Sequence, residues 1–201
     1  MTSTLAAPCE HFEVIRKSRF LAKAAPVASA DQAQAFIQAV SDPAATHNCW
    51  AWKVGAQYRF SDDGEPGGTA GRPMLTAIEG QDCDQVVVVV TRWFGGIQLG
   101  TGGLARAYGG AAAKCLQAGA RLELVARLRC SCHCRFAELA LLKARLAEHE
   151  ALVEVERFDA EGAELHLAVP TALLEPLQQT LADISRGRIE LQVLSEGDET
   201  G

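Results

Sequence analysis

With 201 residues, 48% of them hydrophobic, the chain is long enough for one large domain or two small ones with real cores. Nineteen Lys and Arg against 25 Asp and Glu give a formal net charge of -6, which argues against nucleic-acid binding through bulk charge and leaves only a local basic patch for that role. The acidic excess lies wholly in the last part: residues 1–120 carry ten basic and ten acidic side chains, residues 121–201 nine and fifteen. No stretch reaches the roughly 18 apolar residues of a spanning helix, and the N-terminus lacks a basic n-region and a long apolar core, so neither a membrane segment nor an export signal is expected. The seven cysteines, at positions 9, 49, 83, 115, 130, 132 and 134, contain no C-x-x-C pair. A full disulfide framework is not expected, and a reducing cytoplasm fits this usage.

In chain order, residues 11–27 hold two extended runs around Lys17-Ser18-Arg19, and a helix is predicted from about Asp31 to Val40 with Asp31 as its cap. Residues 49–54 are apolar enough for a strand. Five consecutive valines within residues 85–91 mark a strand buried on both faces, and an Ala-rich helix follows from about Gly103 to Leu116, ended by Gly119.

Between these elements lie two segments that do not read as packing. Residues 61–73 place three carboxylates within four positions, Asp62, Asp63 and Glu65, among four glycines and two prolines. Such a chain cannot form a regular element, and its glycines permit positive φ or close approach to the backbone. The carboxylates can coordinate a hard cation such as Mg²⁺ or hold basic groups. Equally, they can cap the helix that follows and pair with Arg72 or Arg92.

The second segment, residues 91–108, leaves the valine strand and runs into a helix: Thr91-Arg92-Trp93-Phe94-Gly95-Gly96-Ile97-Gln98-Leu99-Gly100-Thr101-Gly102-Gly103-Leu104-Ala105-Arg106-Ala107-Tyr108. A Gly-rich turn at a helix start exposes backbone N–H groups at the positive end of the helix dipole, where an anion is stabilised. Gly95, Gly96, Gly100, Thr101, Gly102 and Gly103 supply that start, and Arg92 and Arg106 can add guanidinium forks suited to phosphate or carboxylate. The competing reading is tight packing of loop and helix, with Arg106 answering the acidic loop. The spacing fits neither a P-loop nor a dinucleotide fingerprint. Trp93, Phe94 and Tyr108 can form a stacking platform for bases, or Trp93 and Phe94 can belong partly to the core. Trp50 and Trp52 share a strand face, with core contact as the default.

His47-Asn48-Cys49 sets a histidine and a cysteine two residues apart in the N-terminal part. His47 can contact a ligand or move a proton and Cys49 can act as a nucleophile, but the pair can equally be a buried thiol beside a hydrogen-bonded histidine. After Gly119 the pattern turns regular. Residues 127–135 alternate, with Leu128, Cys130, Cys132 and Cys134 on one face and Arg127, Arg129, Ser131, His133 and Arg135 on the other. A helix over 136–146, strands over 152–158 and 164–169, a helix from Leu173 to Ile184 closed by Gly187, and a strand over 189–194 complete the order β-α-β-β-α-β. Cys130, Cys132 and Cys134 project about 7 Å apart along one strand face, too far for neighbouring ligands of one zinc, so packing explains them and no metal site is expected there.

His47-Asn48-Cys49, residues 61–73 and the run from Arg92 to Tyr108 together resemble the IMPACT family, and the full length is similar to its bacterial YigZ-like members. The resemblance covers essentially the whole chain. It implies a mixed α/β (α+β) architecture: an N-terminal ribosomal-protein domain-two-like domain over 1–124 and a small ferredoxin-like domain over 125–201. The residues within the family motifs are His47, Asp62, Asp63, Glu65, Thr69, Arg92, Gly95, Gly96, Gly100, Gly102, Gly103 and Arg106; Trp93-Phe94 stands where relatives often carry tyrosine or phenylalanine. Eukaryotic relatives act through the eIF2-alpha kinase pathway with an added N-terminal domain that this chain lacks, so that partner is not expected. The functional expectation is a translation-related regulatory protein that binds RNA or a ribonucleoprotein through the anion-binding loop. The alternative is an enzyme for a small phosphorylated or carboxylated substrate, with Mg²⁺ held by the acidic loop and His47 as acid or base.

Overall fold

The computed structural model describes residues 2–194, and the chain divides into two compact units, 1–124 and 125–201. In the first, β1 (Ser3–Leu5) pairs antiparallel with β7 (Arg121–Glu123), tying the two ends of the unit together. The main sheet has the order β2-β3-β6-β4-β5, with every neighbouring pair antiparallel. Its strands are β2 (Cys9–Ile15), β3 (Ser18–Pro26), β4 (His47–Val54), β5 (Gln57–Ser61) and β6 (Val86–Trp93).

The β2–β3 hairpin turns through Arg16 and Lys17, both at positive φ (44° and 68°), the backbone that a tight two-residue hairpin turn demands. The central strand β6 explains the valine run. Val86, Val88 and Val90 face α2 (Gly71–Gly80) and α3 (Gly100–Ala118), while Val87 and Val89 face α1 (Ala30–Val40). A strand covered by helices on both sides has no polar face to alternate with, so each valine contributes about 1.5–3 kcal/mol of apolar burial. The same alternation puts Arg92 on the α2/α3 side, between Phe20 of β3 and His47 of β4, and Trp93 on the α1 side, opposite Arg19.

Two expectations change here. The cap of α1 is Ser29, whose hydroxyl accepts the Gln32 N–H at 3.3 Å, and Asp31 sits inside the first turn. A residue preceding the helix can turn its side chain back onto the free amides, and one already in helical backbone cannot. β5 carries no strong sequence signal, and α2 is the helix that the acidic loop is read as able to cap. α3 begins at Gly100 rather than Gly103, so the glycines that are poor helix formers make its first turn.

The second unit runs β8 (Arg127–Arg135), α4 (Phe136–Glu148), β9 (Leu152–Phe158), β10 (Gly162–Pro170), a 3-10 turn (Thr171–Leu173), α5 (Leu174–Ser185) and β11 (Gln192–Val193). The sheet order is β11-β8-β10-β9, again antiparallel throughout. Cys130, Cys132 and Cys134 point into a core with Leu165, Leu167, Leu142 and Leu177, and all seven cysteines of the chain are free thiols. Burial raises the Cys132 thiol to about 12, in keeping with a packing role. Helix α5 closes through Arg186 in the left-handed region (φ 56°), followed by Gly187, whose N–H returns to the Ala182 carbonyl at 2.8 Å. The last strand is only Gln192–Val193, shorter than the predicted 189–194, because Ile189 turns into the core before pairing begins.

The cap assignment is testable by urea unfolding. Ser29→Ala should lower stability by about 1 kcal/mol, whereas Asp31→Ala should change it by no more than a few tenths.

Candidate functional site

The acidic loop between β5 and α2 is organised by its own carboxylates. Asp62 accepts the Gly68 N–H on Oδ2 (2.8 Å) and the Ala70 and Gly71 N–H groups on Oδ1 (3.0 and 2.8 Å), so it caps α2 from eight residues upstream. Burial alone would raise its pKa, but the three N–H donors outweigh burial and hold it below the usual carboxylate value. Asp63 accepts the Asn48 N–H at 2.6 Å, and its carbonyl lies 2.7 Å from His47 Nδ1. That distance to a carbonyl makes Nδ1 the protonated nitrogen and turns Nε2 toward Glu65. Thr69 closes the loop by donating to the Pro66 carbonyl at 2.6 Å.

Glu65 is the innermost of the three, 8% exposed. Its Oε1 accepts Arg92 Nη1 and the Tyr108 hydroxyl, each at 2.6 Å, with His47 Nε2 at 3.7 Å. Arg92 is 5% exposed, donates its second fork nitrogen to Ser18 Oγ at 3.3 Å, and lies with its guanidinium 5.6 Å and 5.4 Å from the ring centroids of Phe20 and Phe94. Aromatic faces offset part of the cost of burying this cation. Tyr108 is fully buried, and burial together with the Glu65 carboxylate drives its hydroxyl pKa far upward, so it is a fixed donor.

The two guanidinium groups expected to share an anion are therefore separated. Arg92 turns inward onto Glu65, and Tyr108 leaves the expected stacking surface. The three carboxylates are committed to N–H groups or to Arg92, and among the described residues no group of three His, Cys, Asp or Glu side chains forms a metal-sized cluster. Cys49 donates to the Asp62 carbonyl at 3.0 Å, and burial pushes its thiol up to about 12, which leaves almost no thiolate nucleophile at neutral pH.

The Gly-rich connection is different. At Gly95 an added Cβ would fall 2.0 Å from the Lys17 carbonyl oxygen, so this glycine lets the β6–α3 loop lie directly on the hairpin turn. Gly96 and Gly100 adopt positive φ (88° and 73°) and swing the chain into α3. Among the described residues no side chain caps that helix start. Thr101, Gly102 and Arg106 are exposed, and the Arg106 guanidinium folds back within 4 Å of where a Cβ on Gly102 would stand. Arg106 lines two concavities. One, about 250 Å³, lies between β2 and α3 and brings Arg16, Gly103 and Lys114 to Arg106; Lys114 there pairs with Glu13 at 2.5 Å. The other, about 500 Å³, lies between α2 and α3 and includes Arg72, Gly68 and Thr76.

Arg16 and Lys114 were not singled out as site residues by sequence reasoning. Arg16 stands in a hairpin turn, where side chains are exposed, and Lys114 lies two helical steps of four beyond Arg106, on the same face. Of the two arginines read as partners for the acidic loop, Arg92 pairs with Glu65, and Arg72 lines the second concavity.

A two-unit α/β chain whose acidic loop is locked by a buried Glu–Arg pair, beside an uncapped Gly-rich helix start, is the class of protein these features define. A family model described as the Impact N-terminal domain matches residues 16–116, and one described as a domain of unknown function (DUF1949) matches residues 132–188. The chain is 45% identical over 181 residues to an IMPACT family member of Thermus thermophilus, covering 88% of this chain and 98% of that one. It is 36% identical over 198 residues to the IMPACT family member YigZ of Escherichia coli (strain K12), covering 95% and 97%. A crystal structure titled as that of a hypothetical protein superposes with a TM-score of 0.70 at 36% identity, over 98% of this chain and 99% of that one. The chain belongs to the bacterial IMPACT/YigZ family. No helix among the described residues is long and apolar enough to cross a membrane.

Two outcomes check this geometry. Glu65→Ala and Arg92→Ala should each destabilise the chain by about 3–5 kcal/mol in chemical denaturation, and the double variant by clearly less than the sum, because each single change strands a buried partner. The depressed Asp62 pKa contributes stability that is present above the unfolded value of about 3.9 and is lost as pH falls through the lower folded value. Acid unfolding of Asp62→Asn, which lacks that titration, should therefore show a shallower loss of stability below about pH 4 than the parent chain.

Proposed function

We propose that the chain is a translation-related regulatory protein that binds RNA or a ribonucleoprotein through the face formed by the start of α3. The observation that carries this reading is the groove in which Arg16, Arg106 and Lys114 gather beside an uncapped helix start. Backbone N–H groups at the positive end of a helix and guanidinium forks both favour phosphate oxygens, and neither reads sequence, so the contact suits an RNA backbone. Gly95, Gly96, Gly100, Thr101, Gly102 and Gly103 shape the loop and first turn, and Arg106 reaches the phosphate. Arg16 replaces Arg92 as the second guanidinium. Arg92, together with His47, Asp62, Asp63, Glu65 and Thr69, holds the site from behind.

We read residues 1–124 as the ribosomal-protein domain-two-like domain and residues 125–201 as a ferredoxin-like domain. The β-α-β-β-α-β order with strands ranked β11-β8-β10-β9 supports the latter, and both folds recur in proteins that meet RNA, which is analogy only. A small phosphorylated or carboxylated substrate would use the same groove. The acidic loop lends that alternative little, because its carboxylates are already held by N–H groups and Arg92.

The test is RNA affinity as a function of salt. Arg106→Ala and Arg16→Ala should each lower affinity and reduce the slope of log affinity against log salt by up to about one unit, with the folding midpoint unchanged. A wild-type chain that binds RNA no better at low salt than an acidic control protein would sink the reading.

A further inference from the structure

On the sheet face opposite α2 and α3, helix α1 packs over β6 and β4 and covers Ala25, Val27, Trp52, Val87 and Val89. The strand register lays out what α1 leaves open. Val14, Arg19 and Trp93 stand in one cross-strand row, Phe12 and Leu21 in the next, which ends at the buried Thr91, and Glu10 and Lys23 in a third. Residues directly opposite in antiparallel strands share a face, so these side chains form one continuous surface. Phe12 and Val14 are 55% and 56% exposed, Leu21 and Trp93 are half-buried, and the Arg19 guanidinium lies 4.9 Å from the Trp93 ring centroid.

We propose that this open face is a stacking platform for the unpaired bases of single-stranded RNA. The inference rests on the RNA reading of the neighbouring groove and adds to it the class of RNA recognised. Aromatic rings and guanidinium planes on a sheet offer base-sized flat surfaces, and a duplex, whose bases are already stacked, cannot use them.

Charge selects this occupant over others. Arg19 and Lys23 lie within the face and Arg16 and Lys17 border it at the turn, while Glu10 is its one carboxylate on β2, β3 and β6. A second copy docking by the same patch would set Arg19 and Lys23 against their own counterparts. The platform is also continuous with the groove. The loop that leaves Trp93 for α3 rests at Gly95 on Lys17, so a strand with bases on Trp93 and Phe12 can run its backbone past the hairpin turn to Arg16 and Arg106.

The test is fluorescence anisotropy of the full-length chain with a labelled oligouridylate and with a labelled RNA duplex of similar length. The wild type should prefer the single strand. Phe12→Ala combined with Arg19→Gln, both exposed positions, should weaken oligouridylate binding at least about fivefold and leave duplex binding unchanged, whereas Arg16→Ala with Arg106→Ala weakens both. Binding should also quench tryptophan emission, and Trp93→Phe should remove that quenching while retaining affinity, a result that a purely structural role for Trp93 would not give. Equal binding of single strand and duplex, or an unchanged Phe12→Ala/Arg19→Gln variant, overturns the platform alone and leaves the groove standing. Absence of all RNA binding overturns both. A concentration-dependent dimer abolished by Phe12→Lys reassigns the face to a second copy and overturns the nucleic-acid occupant.

Discussion

The arrangement of the N-terminal unit depends on one buried ion pair, Glu65 with Arg92. A guanidinium on the inner face of a central strand is tolerated only if a carboxylate meets it there, and Glu65 reaches it only because the Gly-rich acidic loop folds back over the sheet. The loop in turn holds its shape through Asp62 on the start of α2 and Asp63 on His47 and Asn48. Ser18, Tyr108 and His47 gather around the same pair. One interaction thus fixes the ends of β3, β4 and β6 and one turn of α3, and the surface above them inherits that rigidity.

This division of labour explains why the conspicuous residues of the sequence are not all on the surface. The acidic loop has the composition of a metal or ligand site, yet its carboxylates are consumed in building the backbone on which the neighbouring helix start stands. The arginines that line concavities are others, Arg16, Arg72 and Arg106. A preorganised helix start costs less ordering on binding than a flexible loop, which is the physical advantage of such a buried scaffold.

Much of the fold is legible in the sequence where periodicity is strong. The valine strand, the alternating Cys130-Cys132-Cys134 strand and the β-α-β-β-α-β order of residues 127–194 follow from spacing alone. β5 is not legible because its side chains are mostly exposed and show no apolar alternation. The helix after the acidic loop is legible only as one that the carboxylates can cap, and Asp62 does so from eight residues before Ala70; its start is blurred because Gly71 and Pro73 occupy the first turn. The orientation of Arg92 was available in principle, since it continues the even-numbered series Val86, Val88 and Val90 toward the α2/α3 core. Which basic groups join Arg106 was not, because Arg16 reaches it across a strand and a helix that only the tertiary fold brings together.

The most direct test of this account is hydrogen exchange of the full-length chain with and without a short single-stranded RNA. RNA should protect amides in two stretches, the Arg16–Lys17 turn and the first turn of α3 around Thr101, Gly102 and Gly103, while the already locked loop around Glu65 stays unchanged. Protection confined to residues 125–194, or appearing first in the loop around Asp62 to Thr69, would contradict it.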